Sequence, residues 1–519
     1  MALRTSLKPA LPLLTLLPGL CLIPVIAILI RDGHGGGLPL LIQFAQAAVQ
    51  PSLDPILLKS LWHGLQITFV TAVLSWTIST GLGVMFGFLG SRSVWRTILE
   101  SSWPAVLFRR LFSPFRAIHE LIWGLLLLQI YGLNGWVAIA AIVIPYSAQM
   151  ARVIADQIDC HESPALPVLQ ATGGAAIAVL VTAVLPAVSA AINHHIGHRL
   201  DCALRSALIL GVFGLGGLGT DLMLSLQSLQ FREMWSGLWF LAIAMVVLDQ
   251  MLRTIQSRPG SGVFMSTVLI GTVLIGTVLI GCVSFGCSTL NMDLSWPTAP
   301  LGSLLSLWGD HRNAAAALLE MNWWAVIGST LLITVMASCI ATALPALLLL
   351  LWPNPNSLRL QSLIWGALRL LPTPLSALLL LVMAKPSLPL AALALGLHHS
   401  GVMGRVLIRD VRETGFGSAQ ILEWSGATAR MSWLYGPLTE VSRSYLAYAS
   451  YRCDVILRDT VVVGLVGSAG LGWQLIDALS SFHWWLVAWL VLAFIVLTLT
   501  GEAITERWQQ RLNCKAVVL

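Results

Sequence analysis

Long apolar stretches alternate with short polar stretches along almost the whole chain of 519 residues. A helix of about 20 apolar residues, rising 1.5 Å per residue, crosses roughly 30 Å of hydrocarbon. Such stretches begin near Leu11, Gly64, Ile118, Gly135, Ala175, Trp235, Phe264, Ala325, Ser362, Leu388, Met431 and Trp484. The pattern predicts an all-α polytopic membrane protein with about twelve transmembrane helices. We expect the first of them to be retained as a span and not removed as a signal peptide.

The second half of the chain repeats the first at an offset of 253 residues. The repeated charged residues form three pairs: Arg199 and Arg452, Asp201 and Asp454, Arg205 and Arg458. The repeated glycines form four pairs: Gly211 and Gly464, Gly214 and Gly467, Gly217 and Gly470, Gly219 and Gly472. A long internal repeat predicts one structural unit per copy. We therefore expect two halves, residues 1–258 and 259–519, each with about six spans.

The number of spans per half bears on their orientation. Because an even number of spans returns the chain to the side on which it started, we expect two parallel repeats related by an axis along the membrane normal. This geometry favours a central translocation path and disfavours inverted-repeat transporters. Lysine and arginine cluster after the second and sixth spans and near the end of the chain. By the positive-inside rule, both termini are then cytoplasmic.

Composition supports the membrane assignment and removes other classes of function. The chain is 57% hydrophobic and 10% charged, with a mean hydropathy of +0.83, whereas soluble domains are about a quarter charged. The formal net charge of +6 lies in loops between apolar stretches, so nucleic-acid binding is not indicated. The eight cysteines are scattered, and His194, His195 and His198 have no acidic or thiol partner clustered with them. We therefore predict no disulfide framework, metal site or catalytic residue.

Two polar loops, residues 151–175 and 404–428, each begin with a helical pattern and contain a glycine. One includes Leu169-Gln-Ala-Thr-Gly173 and the other Leu422-Glu-Trp-Ser-Gly426. The pattern resembles the permease subunits of ABC importers, in which this loop forms a short coupling helix seated in a cleft of the ATPase subunit. The resemblance implies ATPase coupling through Leu169, Gly173, Pro186, Leu422, Glu423 and Gly426.

The loops depart from the family pattern six residues before each glycine. The family has a glutamate there, and this chain has Pro167 and Gln420. Proline removes a helical N–H unless it lies in the first turn. The departure implies weaker coupling through the first loop than through the second.

Two further segments indicate which type of ABC importer permease the sequence resembles. One runs from Arg116 through Glu120 to Trp123, and the other runs from Tyr451 to Gly472. Both are similar to the permease of phosphonate-type ABC importers, which carry phosphonate, phosphite or phosphate. Family permeases are usually one half as long and pair as homodimers. The resemblance therefore implies a type I ABC importer permease fold with two such subunits fused in tandem.

The resemblance also implies partners and a location. A dimer of cytoplasmic ATPase subunits and a periplasmic solute-binding protein would act with one fused chain per transporter in the inner membrane of a bacterium. The sequence contains no Gly-x4-Gly-Lys-Ser/Thr motif, so we expect no cofactor in this chain, with ATP and Mg bound by the ATPase. The alternatives are an ion-coupled secondary transporter of a small anion, which needs paired intramembrane acids, and a membrane-bound enzyme, which needs a convergent catalytic cluster.

A predicted anion path is made up of repeated arginines and glycines: Arg199, Arg205, Arg452, Arg458, Gly217, Gly219, Gly470 and Gly472. An intramembrane arginine costs about 2.5–3.5 kcal/mol on insertion scales and is a functional candidate by default. Alternatively, Arg205 and Arg458 form ion pairs with the aspartates one helical turn earlier. The glycines either permit close helix packing or belong to a broken helix that lines a cavity. The sequence leaves both choices open.

Overall fold

The computed structural model describes residues 11–160, 168–169, 171–256, 318–319, 321–467 and 470–511. Within these ranges the regular elements are helices. One isolated β-bridge pairs Gly33 with Ala384. The all-α fold predicted from the apolar pattern is confirmed. The chain divides into two compact units, which we call unit I (described residues 50–256) and unit II (described residues 11–49 and 318–511).

The N-terminal segment, residues 11–49, packs within unit II. Its elements are α1 (Leu11–Leu16), a 3₁₀ turn (Leu17–Cys21), α2 (Leu22–Arg31) and α3 (Gly37–Ala47). Val25 and Leu29 of α2 are buried in the core of this unit, and the backbone N–H of His34 donates to Met383 O at 2.8 Å. The compact units therefore divide the chain differently from the predicted halves at residues 1–258 and 259–519.

Unit I consists of helices of very unequal length. They are α4 (Pro55–Gly90), α5 (Arg92–Leu99), α6 (Trp103–Ala117), α7 (Glu120–Tyr131), α8 (Gly135–Cys160), α9 (Ala176–Val179), α10 (Leu185–Leu210), α11 (Leu218–Gln227) and α12 (Phe231–Gln256). The long helix α4 packs along α8. One part of the core gathers Met150, Ile154 and Ile158 against Val184 and Val188.

The rest of unit II repeats much of this order. Its helices are α13 (Trp323–Leu351), α14 (Ser357–Leu370), α15 (Thr373–Leu381), α16 (Leu388–Thr414), α17 (Gly417–Trp424), α18 (Ala429–Tyr435), α19 (Pro437–Asp459), α20 (Leu471–Ser480) and α21 (Trp484–Arg511). Packing of α13 along α16 corresponds to that of α4 along α8. Trp365, Trp433 and Tyr445 are the largest fully buried side chains of this core.

Corresponding long helices begin with similar caps. Asp54 accepts a hydrogen bond from Ile56 N at 3.0 Å at the start of α4, and Asn322 accepts one from Ala325 N at 3.2 Å at the start of α13. Such side chains satisfy N–H groups that have no partner inside the helix. In each half of the repeat a side-chain N-cap therefore fixes the start of the first long helix.

Helices lie at the predicted spans wherever the structure describes them. Seven helices in the described ranges are long and apolar enough to cross a membrane, and up to 10 spans result if each bent pair counts as one. The stretch near Phe264 lies outside the described residues, as does the repeated Thr-Val-Leu-Ile-Gly unit that follows it. Helix α19, near the stretch predicted from Met431, is not among these candidates, because charged residues lower its hydropathy.

The stretches near Ile118 and Ser362 are bent pairs and not straight spans. α6 and α7 meet at 78°, and α14 and α15 meet at 87°. In the first pair the ring of His119 accepts a hydrogen bond from Leu121 N at 3.1 Å and starts a new helix. In the second pair Pro372, with extended backbone, precedes α15, and proline cannot continue the helix before it. Apolar content alone does not reveal these breaks.

Candidate site at the helix breaks and the polar loops

Each unit contains a long helix that breaks at the repeated glycines and resumes as a short helix. In unit I, α10 passes through a π-helical turn (Gly211–Leu215) before α11, with a 56° bend. In unit II, α19 is followed by a 3₁₀ turn (Val462–Val466) and then α20. Gly217 and Gly470 precede the short helices with φ of +84° and +98°. L-residues with side chains rarely adopt this backbone region, so both breaks require glycine.

The backbone folds back on itself at these breaks. A β-carbon on Gly219 would overlap the carbonyl oxygen of Leu208 and lie 2.7 Å from Val212 N. A β-carbon on Gly472 would lie 2.9 Å from Val461 Cα and 3.0 Å from Thr460 O. Because the opposing atoms are backbone, they cannot rotate away. The glycines thus permit both close packing and a broken helix, which the sequence had presented as alternatives.

A threonine from another helix caps the resumed helix in each unit. Thr68 Oγ1 accepts a hydrogen bond from Leu218 N at 2.9 Å, and Thr330 Oγ1 accepts one from Leu471 N at 2.8 Å. Each hydroxyl also donates to the carbonyl four residues earlier in its own helix, at 2.9 and 3.0 Å. A buried helix start without such a partner would lose about 1–3 kcal/mol. The two threonines therefore tie each broken helix to the first long helix of its repeat.

The two arginines nearest the breaks are paired inside their own helices. Arg205 Nη2 donates to Asp201 Oδ1 at 3.2 Å, and Arg458 Nη2 forms a short hydrogen bond to Asp454 Oδ2. The second pair is the more buried, with side-chain exposures of 14% and 7% against 19% and 22%. The structure thus contains the ion pairs that the sequence offered as an alternative to an anion path.

Unit I holds a buried chain of polar groups that begins at Arg199. The Arg199 guanidinium lies over the Tyr146 ring, 5.2 Å from its centroid, and its Nε donates to His195 Nε2 at 3.4 Å. Tyr146 and Ser206 share a hydrogen bond of 2.8 Å, and Ser206 donates to Glu120 Oε1 at 2.6 Å. Since serine has one hydroxyl proton, Tyr146 is the donor to Ser206. These contacts therefore link the Arg199 cation, through the Tyr146 ring and Ser206, to the buried carboxylate of Glu120.

Unit II holds a corresponding chain that begins at Arg452. Arg452 Nη2 donates to His399 Nδ1 at 2.6 Å, and His399 Nε2 lies 3.1 Å from Asp459 Oδ2. Because arginine can only donate, Nδ1 of His399 is the acceptor and the imidazole proton belongs on Nε2, facing the carboxylate. Here too a cation connects through one ring to a single carboxylate.

The two chains occupy equivalent positions but use different residues. At the offset of 253, Arg199 corresponds to Arg452, Tyr146 to His399, and Ser206 to Asp459. Glu120 corresponds to Thr373, so the carboxylate lies at a different link in each unit. We call these chains the unit I network (Glu120, Ser206, Tyr146, Arg199) and the unit II network (Asp459, His399, Arg452).

The predicted coupling loops close in the same way in both units. Gly174 N donates to Leu169 O at 3.3 Å, and Ala427 N donates to Leu422 O at 3.1 Å. Gly173 and Gly426 have φ of +76° and +91°, which is the usual way for a helix to end when its last carbonyls are bonded by the following residues. Glu423 and Ile421 are exposed in α17, and Pro186 lies in the first turn of α10. Pro167 is outside the described residues.

The supports next to the loops differ between the units. Arg109 donates to Asp156 at 2.7 Å and to Asp159 at 2.8 Å, and both acids lie in the helical first part of the first loop, at the end of α8. The equivalent positions in the second loop are Arg409 and Arg412. An ion-pair cluster therefore anchors the first loop. The second loop cannot form the same cluster, because arginines replace both aspartates there.

Sequence reasoning missed the two threonines and most of both networks. Thr68 and Thr330 are separated by 262 residues, so the offset of 253 does not align them. Tyr146 and His399 do align, but they are chemically unlike and lie in apolar helices. A search for aligned polar positions inside spans, whatever their identity, would have found Tyr146, Ser206 and their counterparts.

Comparison with known proteins identifies relatives over most of the chain. The phosphate-import permease protein PhnE of Mycolicibacterium smegmatis is 23% identical over 483 residues, which is 86% of this chain and 84% of the relative. PhnE2 of Escherichia coli K12, named as a candidate permease protein of a cryptic phosphonate transport system, is 30% identical over 115 residues, 22% of this chain and 94% of that protein. No family model matches the chain.

Two further comparisons are weaker or partial. HtxE of Stutzerimonas stutzeri, named as a candidate phosphite transport system permease protein, is 32% identical over 135 residues, 26% of this chain; the match spans about half, 52%, of that relative. An inward-facing structure of the MetNI methionine ABC transporter matches 40% of this chain and 100% of its own, with 17% identity and a TM-score of 0.34, too low to carry an argument. The relatives confirm the predicted resemblance: the chain belongs to the family of permease proteins of phosphonate-, phosphite- and phosphate-type ABC importers.

Proposed function

We propose that this protein is the transmembrane permease of an ATP-binding-cassette importer for phosphonate-like oxyanions: phosphonate, phosphite or phosphate. The observation that carries the proposal is the relative named as a phosphate-import permease, which matches 86% of the chain. A separate ATPase subunit drives alternating access, and this chain catalyses no reaction of its own. None of the comparisons favours an ion-coupled secondary transporter.

Coupling to the ATPase runs through the two loops that end at Gly173 and Gly426. Exposed apolar side chains on these loops support the proposal, because apolar groups facing solvent mark contact surfaces. Trp424 is 84% exposed and Ile421 64%, and Val168 on the first loop is 62% exposed. Equivalent hydrogen bonds close both loops at their glycines.

The oxyanion passes the arginine-bearing helices that lead into the two breaks. Arg199 and Arg452 supply positive charge there, whereas Arg205 and Arg458 pair with aspartates of their own helices. The glycines Gly217, Gly219, Gly470 and Gly472 allow the backbone to turn. Arginine suits such substrates because its planar donors match pairs of oxyanion oxygens.

The remaining parts of the importer belong to partner subunits. Two cytoplasmic ATPase subunits bind ATP and Mg, and a periplasmic binding protein delivers the solute. One fused chain serves each transporter in a bacterial inner membrane, with both termini cytoplasmic, the two sequence halves parallel, and no nucleic acid bound.

Reconstitution of the complete transporter tests the proposal. The chain is purified with the ATPase and binding protein encoded beside it and placed in vesicles of phosphatidylethanolamine and phosphatidylglycerol. We expect uptake of labelled phosphate, phosphite or methylphosphonate that requires ATP and the binding protein. Uptake by the chain alone, driven by an ion gradient and independent of ATP, would instead establish a secondary transporter.

A further inference from the structure

The four repeated arginines fall into two chemically different classes. Arg205 and Arg458 each contact an aspartate in the preceding turn of the same helix. Arg199 and Arg452 contact uncharged groups: the Tyr146 ring and His195 in one unit, and His399 in the other. In the part of the chain that the structure describes, neither Arg199 nor Arg452 forms an ion pair with a carboxylate. Their positive charge is therefore held in place without being neutralised by direct contact.

The two arginines are more accessible than the rings that hold them, and Asp459 at the far end of the unit II network is 21% exposed. Arg199 and Arg452 are half-buried, whereas Tyr146, Ser206, Glu120 and His399 are buried. The buried groups fix one side of each guanidinium. A guanidinium held in this way keeps donors for a bidentate contact with an oxyanion.

The carboxylates at the far ends of the networks explain how the rings are held. Tyr146 donates toward Glu120 through Ser206, which fixes the ring under Arg199. Asp459 faces Nε2 of His399, which leaves Nδ1 as the acceptor for Arg452. The unit I network reaches its carboxylate, Glu120, through one more link than the unit II network needs to reach Asp459, yet in both units the arginine contacts an uncharged ring.

On the basis of the proposed function, we propose that Arg199 and Arg452 are the arginines that contact the transported oxyanion. Glu120 and Asp459 are positioning residues, which act on these arginines through Tyr146 and His399. Arg205 and Arg458 are structural, because their charge is already matched by Asp201 and Asp454. Both networks have the same result: each positions an arginine that no carboxylate contacts directly, so either network should work in either unit.

The test uses the complete transporter in vesicles and measures solute taken up per ATP hydrolysed. A structural defect lowers uptake and ATP hydrolysis together, whereas loss of an anion contact lowers their ratio. We expect Arg199→Gln with Arg452→Gln to lower the ratio about tenfold, within the range of electrostatic effects on charged substrates. The matched comparison removes both ion pairs without leaving a lone charge, through Asp201→Asn, Arg205→Gln, Asp454→Asn and Arg458→Gln.

The comparison variant should keep the ratio within about twofold of the intact transporter. An unchanged ratio in the Arg199 and Arg452 variant, or an equal fall in the comparison variant, overturns the proposal. Arg232→Gln removes an exposed arginine bonded to Gln50 O and shows the effect of losing one positive charge outside the networks.

A transplant keeps the proposal testable should the arginine variants fail to assemble. Glu120→Thr removes the unit I carboxylate, and adding Ser206→Asp with Tyr146→His rebuilds the unit II arrangement in unit I. We expect Glu120→Thr alone to lower the transport ratio and the triple variant to restore most of it. A triple variant no better than Glu120→Thr disproves the equivalence of the networks. If the intact transporter carries no oxyanion at all, the proposed function fails and this inference falls with it.

Discussion

The unit I and unit II networks hold corresponding arginines by different means. In unit I a tyrosine face and a serine connect Arg199 to Glu120. In unit II a histidine edge connects Arg452 directly toward Asp459. The two copies thus keep the cation, the ring position and one carboxylate, but not the identity of the ring or the location of the acid. Side-chain networks can be rebuilt as long as their charge and hydrogen-bond direction are kept.

The helix breaks show the opposite behaviour. Gly211, Gly217 and Gly219 reappear unchanged in unit II as Gly464, Gly470 and Gly472, and the atoms facing Gly219 and Gly472 are backbone. No alternative side chain can satisfy a contact between two backbones. Where the constraint is on the backbone, the copies keep the residue itself, and where it is on side chains, they keep only the chemistry.

Substitution of the packed glycines should destabilise both helix breaks. Gly219→Ala places a β-carbon against Leu208 O, and Gly472→Ala places one against Val461 and Thr460. Overpacking costs about 1–3 kcal/mol, and we expect the upper end at Gly219, where the overlap is greater. The folded fraction after detergent extraction measures the effect. Gly81→Ala, with no atom within 4 Å of the new β-carbon, is the control, and equal losses in all three variants would contradict the explanation.

The polar loops should differ in their sensitivity to substitution. Gly426→Val forces a β-branched residue into a positive-φ position with open space around it, so the fold should survive while the loop end distorts. We expect stimulation of ATP hydrolysis by loaded binding protein to be abolished. Gly173→Val should cause a smaller loss, because the first loop has Pro167 where the second has Gln420, and proline removes a helical N–H. Full stimulation in the Gly426 variant would remove this loop from the mechanism.

Loss of one ion-pair partner should destabilise unit II more than unit I. Arg458→Gln leaves Asp454, 7% exposed, without its cation, whereas Arg205→Gln leaves Asp201, 22% exposed. Breaking a buried pair costs about 3–5 kcal/mol and a fully exposed pair about 0–1, so the less buried Arg205 pair should fall between these limits. Thermal unfolding in detergent should show the larger shift for Arg458→Gln, partly reversed by adding Asp454→Asn. Identical shifts at the two sites would show that burial does not control the effect.

The threonine caps should give effects of nearly equal size in the two units. Thr68→Val and Thr330→Val keep the side-chain volume but remove the acceptor for Leu218 N and Leu471 N. We expect each to lower stability by about 1–3 kcal/mol, measured by thermal unfolding, with Thr77→Val as a partly exposed control. A large difference between the two caps would mean that the breaks are not equivalent.

The sequence predicted the helices and the breaks better than it predicted the polar contacts. Apolar length located the spans, and repeated glycines marked the breaks, because both are local signals. The bends at His119 and Pro372 were hidden within apolar stretches. The pairing of Glu120 with Ser206 could not be predicted, since it joins residues 86 positions apart that do not recur as a pair in the second copy. The roles of the loop residues and of the arginines in transport stay predictions.

The packing of residues 11–49 within unit II has a consequence for synthesis. This segment is translated before unit I, but helices α13 and α16, which it contacts, are translated only after unit I. During translation residues 11–49 therefore lack their packing partners until unit I has been synthesised. A gene divided at the midpoint would separate this segment from its partners. The two fragments could form the native structure only if residues 11–49 of one chain packed against unit II of the other. In a single chain the two parts are covalently connected and need not meet by diffusion.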